Sequence, residues 1–404
     1  MESMIGNVVD GNKGVMNKGS YGTMTDFVCH KHPHLAVYTC YSKLERCIAL
    51  SKEVSMQHLN KKIRTVLVGC GSMSSAWLDA TFALPDVEIV GLVDVVEAAA
   101  QQKVRQYALA SAVIGTDLGV VLNKTQPDAV FNCTIPEAHY AVTIQALTHG
   151  CHVLSEKPLA DSMDHAREMV IAAQKANKIF AVIQNRRYEA NIRRMTHFLT
   201  SGALGPLTTV NSDFYIGAHF GGFRDTMRHV LLLDMAIHSF DAARLLTGAE
   251  AVSVYCHEWN PQGSWYDSDA SAIAIFEMSN GLVYTYRGSW CAEGLATTWE
   301  CDWRFVGQHG SATWNGADIA QVQVVKETGS FLSTYNDVVI PSYEAPNIGG
   351  HVGIIQEFFA CIRNGTHPET NASDNIKSLA MVFGAIKSAE QGRKVDIEDT
   401  RFVF

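Results

Sequence analysis

The chain has 404 residues, 47% of them hydrophobic and 18% charged, which excludes a disordered or fibrous protein and leaves room for two to three domains. Its 32 Lys and Arg stand against 41 Asp and Glu, a net charge of −9 with no basic block, so the electrostatic footprint of a nucleic-acid partner is missing. The longest apolar runs, such as that at 230–233, are far too short to span a bilayer, and the 10 cysteines are scattered as expected for reduced thiols of a cytoplasmic protein.

Residues 1–61 show little periodicity. Glycines recur at Gly6, Gly11, Gly14, Gly19 and Gly22, and no secretory signal pattern is present. Cys29, His30, His32, His34, Cys40 and Cys47 bring metal-binding side chains together in sequence. The cysteine spacings are 11 and 7, however, and no Cys-x2-4-Cys pair occurs, so no metal site is expected. Lys52-Glu53-Val54-Ser55-Met56 is what a ribosome-binding sequence gives when translated in frame ahead of a start codon. We therefore expect residues 1–61 to be an extension outside the working fold.

A βα rhythm begins at 63–68, a run rich in β-branched residues. It stops at Gly69-Cys70-Gly71-Ser72-Met73-Ser74, and a helical pattern follows. The first glycine allows a tight turn, and the second lets the backbone approach a pyrophosphate seated on the helix N-terminus. Ser74 stands at the third small position. A second strand at 87–93 ends at Asp94, 23 residues after Gly71, where an acid should grip the ribose hydroxyls of a dinucleotide. No cation follows Asp94, which favours NAD over NADP. Strands at 129–133, 152–154 and 180–183 alternate with helices at 140–148 and 162–176. The pattern predicts an α/β fold with a Rossmann-type, doubly wound parallel sheet over 62–184. Gly69, Asp94, Thr134 and Lys157 all fall at the carboxyl ends of strands, where ligands bind in such sheets.

The chemistry of those positions is suggestive. Oxidising a secondary alcohol requires a group that takes the hydroxyl proton and a nicotinamide that takes the hydride. Lys157 sits in Glu156-Lys157-Pro158 at a strand end, and a lysine partly desolvated beside a nicotinamide could serve as base or shuttle. Asp234 and His238 are i and i+4 on a predicted helix and so share a face.

Seven motifs in order now resemble the glucose–fructose oxidoreductase and inositol dehydrogenase family (Gfo/Idh/MocA). They are Gly69-Cys70-Gly71; Thr134-Ile135-Pro136 through His139; Glu156-Lys157-Pro158; Gln184-Asn185-Arg186-Arg187-Tyr188; Leu204-Gly205-Pro206; Asp234 through Asp241; and Ser388 through Val395. The resemblance covers about 62–404. It departs at Glu137, where Asn is common, and at Ser74. It implies that Lys157, Asp234 and His238 are catalytic, with Lys157 and His238 in proton transfer and Asp234 binding a neighbouring hydroxyl. It implies NAD contacts from Gly69, Gly71, Ser72, Met73, Asp94, Thr134, Pro136, His139, Glu156 and Lys157. Substrate contacts are expected from Arg187, Tyr188, Arg224, Asp234 and His238.

From residue 185 the pattern changes to a helix at 189–200 and long strand-like runs at 207–215, 251–257, 271–277, 282–290, 298–306 and 311–314. This predicts an α+β domain over 185–404 with one large, mainly antiparallel sheet. The resemblance implies that the sheet is open on one face and joins subunits into a homo-oligomer, a dimer or tetramer. Six of the 7 tryptophans fall between Trp259 and Trp314. At least half are expected in the sheet core or an interface, and one or two could be a platform for a sugar ring. Arg224, Arg228 and His229 precede the Asp234 helix, and two arginines there would suit a carboxylated or heavily hydroxylated substrate. The expected function is an NAD-dependent oxidoreductase acting on a sugar, sugar derivative or cyclitol. An NAD-retaining glycosidase working by oxidation and elimination and a catalytically idle NAD/sugar-binding sensor are the alternatives.

Overall fold

A computed structural model describes residues 61–329, 331–398 and 400. The expected extension over 1–61, with its cysteine and histidine cluster, lies outside the described residues but for Lys61.

The first half is the expected parallel sheet. Its strands are β1 (Ile63–Val68), β2 (Val87–Val93), β3 (Val113–Gly115), β4 (Ala129–Asn132), β5 (His152–Ser155) and β6 (Phe180–Val182), in the order β3-β2-β1-β4-β5-β6. Every pairing is parallel. The helices between them are α1 (Ser74–Phe82), α2 (Glu97–Gln106), α3 (Leu118–Thr125), α4 (Pro136–Thr148) and α5 (Met163–Ala176). The strands are apolar on both faces because both faces are covered. Val66, Val68 and Val130 pack on one side with Met169 and Val170 of α5. Leu67, Leu92 and Phe131 pack on the other with Trp77 of α1.

That second face is closed by a helix from far along the chain. Residues α8 (His351–Asn364) bring Ile354, Ile355, Phe358 and Phe359 onto Phe131 and Leu154. Val182 also donates its amide to Thr370. The expected boundary at 184/185 therefore does not separate two independent cores. The tail of the chain thus supplies part of the cover of the first sheet.

The second half forms a nine-stranded sheet from β7 (Leu207–Tyr215), β8 (Ala251–Trp259), β9 (Ser271–Met278), β10 (Val283–Ser289), β11 (Asp302–Gly307), β12 (Gly310–Trp314), β13 (Ala320–Glu327), β14 (Thr334–Asp337) and β15 (Val395–Asp396). Their order is β14-β13-β12-β11-β7-β10-β9-β8-β15. All pairs are antiparallel except β7 with β10. The clean alternation along β9 puts Ala272, Ala274 and Phe276 inside and leaves Ile273, Ile275 and Glu277 outside, the mark of a sheet covered on one face only. The cover includes α6 (Ala190–Thr200), α7 (Ile237–Thr247) and α9 (Ala372–Gln391). The structure adds α2, α3, α8, β3, β13 and β14 to the elements expected from sequence. The run expected at 298–306 becomes a strand only from Asp302.

Candidate active site

The turn after β1 is built as its glycines require. Gly69 has φ +89°, and a Cβ there would lie 2.5 Å from the Cys133 carbonyl oxygen. Above Gly71 a Cβ would meet nothing within 4 Å, which is the open approach a pyrophosphate needs. Ser74 is fully buried, and its hydroxyl donates to the Gly71 carbonyl at 2.6 Å. The serine thus fits the third position by bonding back to the turn it closes. Asp94 accepts from the Cys70 amide at 2.7 Å and the Val96 amide at 2.8 Å. Each carboxylate oxygen keeps further acceptor capacity for a ribose hydroxyl. Val95 and Val96 beside it are exposed and carry no charge. These residues fit a bound NAD: Gly69 and Gly71 would shape the pyrophosphate turn, with Ser72 and Met73 at the head of α1, and Asp94 would hold the ribose.

The loops after β4 and β5 are braced against each other. His139 is wholly buried, with Nδ1 2.8 Å from the Pro158 carbonyl oxygen and Nε2 3.0 Å from that of Thr134. Sequence expectation made His139 a cofactor contact. In the structure both its nitrogens are taken up in tying these loops together, and it does not line the cleft. Glu156 accepts from the Trp77 indole at 2.8 Å and from the Lys157 amide at 3.2 Å. Those contacts fix the strand end from which Lys157 projects.

The strand ends and the second sheet enclose a cleft of about 530 Å³. Of the expected residues, Gly71, Ser72, Met73, Thr134, Pro136, Glu156, Lys157, Arg224, Asp234 and His238 all line it. Asp234 is its electrostatic centre. The Lys157 ammonium donates to its Oδ1 at 2.9 Å and to its backbone carbonyl at 2.7 Å. From the other side Arg224 donates Nε to Oδ2 at 2.8 Å and Nη2 to Oδ1 at 3.2 Å. Burial alone would raise the Asp234 carboxyl, but Lys157 and Arg224 outweigh it and hold the group at about 2. Lys157 is thus no isolated amine, as a free base would be, but one arm of an ion pair. The Arg224 guanidinium is itself held near two aromatic faces, 4.9 Å from the Phe220 ring centre and 4.8 Å from that of Phe223.

Asp234 sits in a π-helical turn over Leu231–Ala236 that runs straight into α7, and His238 is the second residue of α7. A wide turn of this kind is characteristic of functional positions in helices. Burial first, then the charges of Arg186 and Lys157 and the nearby His351, push the His238 imidazole well below its ordinary value. It is neutral at pH 7. Its Nδ1 is buried, neither ring nitrogen has a hydrogen-bond partner among the described residues, and the ring lines the cleft.

Four further expectations change. Arg187 and Tyr188 do not reach the cleft. Arg187 forms a buried pair with Asp241, at 2.6 and 2.7 Å, and the Tyr188 hydroxyl bonds Glu357. The reason is a 3-10 turn over Asn185–Tyr188, which directs successive residues about a third of a turn apart. Arg186, not Arg187, therefore lines the cleft. Arg228 is exposed beside Glu390, and His229 bonds Glu258 at 2.7 Å, so neither enters the site. Of the tryptophans, Trp290 and Trp299 border the cleft with ring centres 5.7 Å apart, whereas Trp303 and Trp314 are buried in the sheet.

Sequence reasoning missed Arg186, Glu300 and His351, which also line the cleft. Arg186 lay beside a residue chosen from the same motif. His351 follows Gly349-Gly350 at a helix start, and Glu300 lies in a loop. Nothing local marks either as functional.

A dinucleotide turn at one end of a cleft and an ion-paired Lys–Asp set beside a neutral histidine at the other define a nicotinamide-dependent oxidoreductase. Family comparison agrees. The oxidoreductase family with an NAD-binding Rossmann fold matches residues 63–184, and the GFO/IDH/MocA C-terminal domain matches 192–313. The chain belongs to the Gfo/Idh/MocA oxidoreductases. It is 29% identical over 243 residues to the D-glucoside 3-dehydrogenase of Escherichia coli, covering 55% of this chain and 68% of that protein. It is 25% identical over 354 residues to the D-apiose dehydrogenase of Paraburkholderia graminis, covering 84% and 90%. Its fold matches the crystal structure of an oxidoreductase from Agrobacterium radiobacter in complex with NAD+, L-tartaric acid and magnesium. The TM-score is 0.72 at 21% identity, over 83% of this chain and 99% of that one.

Proposed function

We propose that this protein oxidises a secondary CH–OH group of a sugar, sugar derivative or cyclitol, with NAD as the preferred cofactor. The observation that carries the reading is Asp234 gripped between Lys157 and Arg224, with the neutral His238 beside it presenting an unbonded Nε2. A neutral imidazole can accept the proton that leaves the reacting hydroxyl. Lys157 donates to that oxygen and shuttles the proton, with Asp234 holding it in place. Asp234 keeps lone pairs for a neighbouring substrate hydroxyl and so sets which carbon is presented. Bound NAD supplies the hydride acceptor. The relatives named above as dehydrogenases of D-glucosides and D-apiose support this substrate class.

The preference for NAD rests on Asp94, whose carboxylate would repel a 2′-phosphate with no cation alongside. The proposal includes a homo-oligomer joined through the open sheet face, on which Tyr255, Ile273, Ile275 and Val283 are exposed. It also includes a reducing, cytoplasmic setting, supported by the seven described cysteines standing as free thiols.

Absorbance at 340 nm with NAD and a panel of sugars, polyols and aryl glycosides tests the reading. Net NADH with at least one sugar or cyclitol is expected. Cleavage of an aryl glycoside without net NADH would replace dehydrogenation by oxidation and elimination.

A further inference from the structure

Arg186 is the cleft cation that has no carboxylate within ion-pair distance among the described residues. Asp234 is already shared by Lys157 and Arg224. Arg187, next in sequence, has Asp241. Arg186 makes no ion pair among the described residues, and its hydrogen-bond partner is the Met235 sulfur at 3.3 Å. Burial pushes its guanidinium below the usual value, and Cys301, Glu300, Tyr286 and Glu189 oppose that without forming an ion pair to it. A desolvated guanidinium with five donors and one thioether acceptor is left wanting an anion.

Its position says where the anion would come from. Arg186 lies close enough to His238 for its charge to depress the imidazole, and it contacts Met235, next to Asp234. It is therefore at the end of the cleft where the hydroxyl reacts, away from the glycine turn that suits the pyrophosphate. Three cations, Lys157, Arg186 and Arg224, and three carboxylates, Glu156, Asp234 and Glu300, line the cleft, and Asp234 is shared by Lys157 and Arg224. A positively charged nicotinamide at that end would tip this even balance toward an anion.

We propose that Arg186 reads a carboxylate on the substrate, so that the preferred substrate is a sugar acid, of the uronic or aldonic type, rather than a neutral sugar. A planar carboxylate matches the guanidinium fork in a two-point contact. A phosphate dianion fits less well, because it would bring more negative charge up to Glu300 than a carboxylate does. The inference rests on the dehydrogenase reading above and deepens it.

The test compares matched pairs on the NAD-loaded protein: D-glucuronate with D-glucose, D-galacturonate with D-galactose, and D-gluconate with D-glucitol, with D-glucose 6-phosphate as a further arm. Turnover is followed at 340 nm and binding by calorimetry. In the unmodified protein kcat/KM for at least one acid should exceed that of its neutral partner by about tenfold or more, the size of one charged hydrogen-bonded contact. In Arg186→Gln that acid-to-neutral ratio should fall by about tenfold or more, and Arg186→Lys should restore part of it. Equal or better oxidation of the neutral partners overturns this inference and leaves the dehydrogenase reading standing. So does preference for the phosphate, or a variant that weakens NAD binding without moving the ratio. Acid binding that depends on Arg186, with no oxidation of any substrate, supports the carboxylate site and overturns the dehydrogenase reading. Failure to bind or oxidise any of them overturns both.

Discussion

In the proposed mechanism His238 and Lys157 divide the proton chemistry by their surroundings. The imidazole is buried among positive charges and stays neutral, whereas Lys157 is committed to Asp234. Replacing either by alanine should cut turnover by about 10²–10⁴, with NAD affinity little changed, since neither supports the glycine turn. Steady-state kinetics alongside NAD titration checks this, and near-normal turnover in Lys157→Ala would remove the proposed mechanism. Asp234→Asn should raise KM as well as lower kcat, because it weakens the grip on both Lys157 and the substrate. If His238 is the base, its lowered protonation also predicts the position of a pH limb. Its active form is the neutral one, so activity should persist as pH falls below ~6.5, the ordinary histidine value. It should drop only when pH passes through the lowered value of the folded protein. An acid limb at or above ~6.5 in kcat/KM would show that another group controls the rate. At the cofactor end, Asp94→Ser should narrow the preference for NAD, measured by titrating both dinucleotides. Tighter NADP binding by the unmodified protein would mean that Asp94 does not hold the ribose.

The short 3-10 element at Asn185–Tyr188 separates two arginines with different work. Arg187 is turned inward onto Asp241, which also accepts from Ser378, and the pair is sealed from solvent. Arg187→Ala would leave the Asp241 carboxylate buried with much of its compensation gone. The expected cost is about 3–5 kcal/mol of stability, read as a lower denaturant midpoint. Arg186→Ala should cost far less, because no protein carboxylate loses its partner there. A similar loss in both variants would show that Arg186 is structural. The same turn carries Tyr188 to Glu357 of α8, so this one element links the second half of the chain to the helix that closes the first sheet.

Acid should unfold the whole molecule in stages. His139, His152, His238 and His351 are all lowered mainly by burial, His152 to about 4. Each binds its proton more readily when unfolded. Their contribution is therefore complete above ~6.5 and is lost as pH falls from there toward the folded values. His229 acts in the opposite sense, since its bond to Glu258 raises it, but it stands alone against the four. Asp234 and Asp374, both held at about 2, add a second loss below ~3.9, the ordinary aspartate value. Tm should fall steadily between pH 7 and 5, and more gently in His152→Asn. A Tm that rises over that interval would show that the buried histidines do not control acid stability.

Apart from β3, the parallel sheet was legible from residues 63–184 because its strands are short apolar runs and the turns after β1, β2, β4 and β5 carry Gly, Asp, Thr or Lys at the strand end. Those are local signals, set by backbone geometry and by burial on two faces. That Lys157, Asp234 and His238 meet in one cleft was legible too, because each lies within a short motif. Which of Arg186 and Arg187 enters the cleft was not, because that depends on the rotation of a single 3-10 turn. Neither was the reach of His351 and Glu300 into the site from 194 and 143 residues beyond Lys157. Nor was the closure of the first sheet by α8. Contacts at such separations leave no period in the chain; they exist only once two sheets and their covering helices have packed, and the charge balance of the cleft exists only with them.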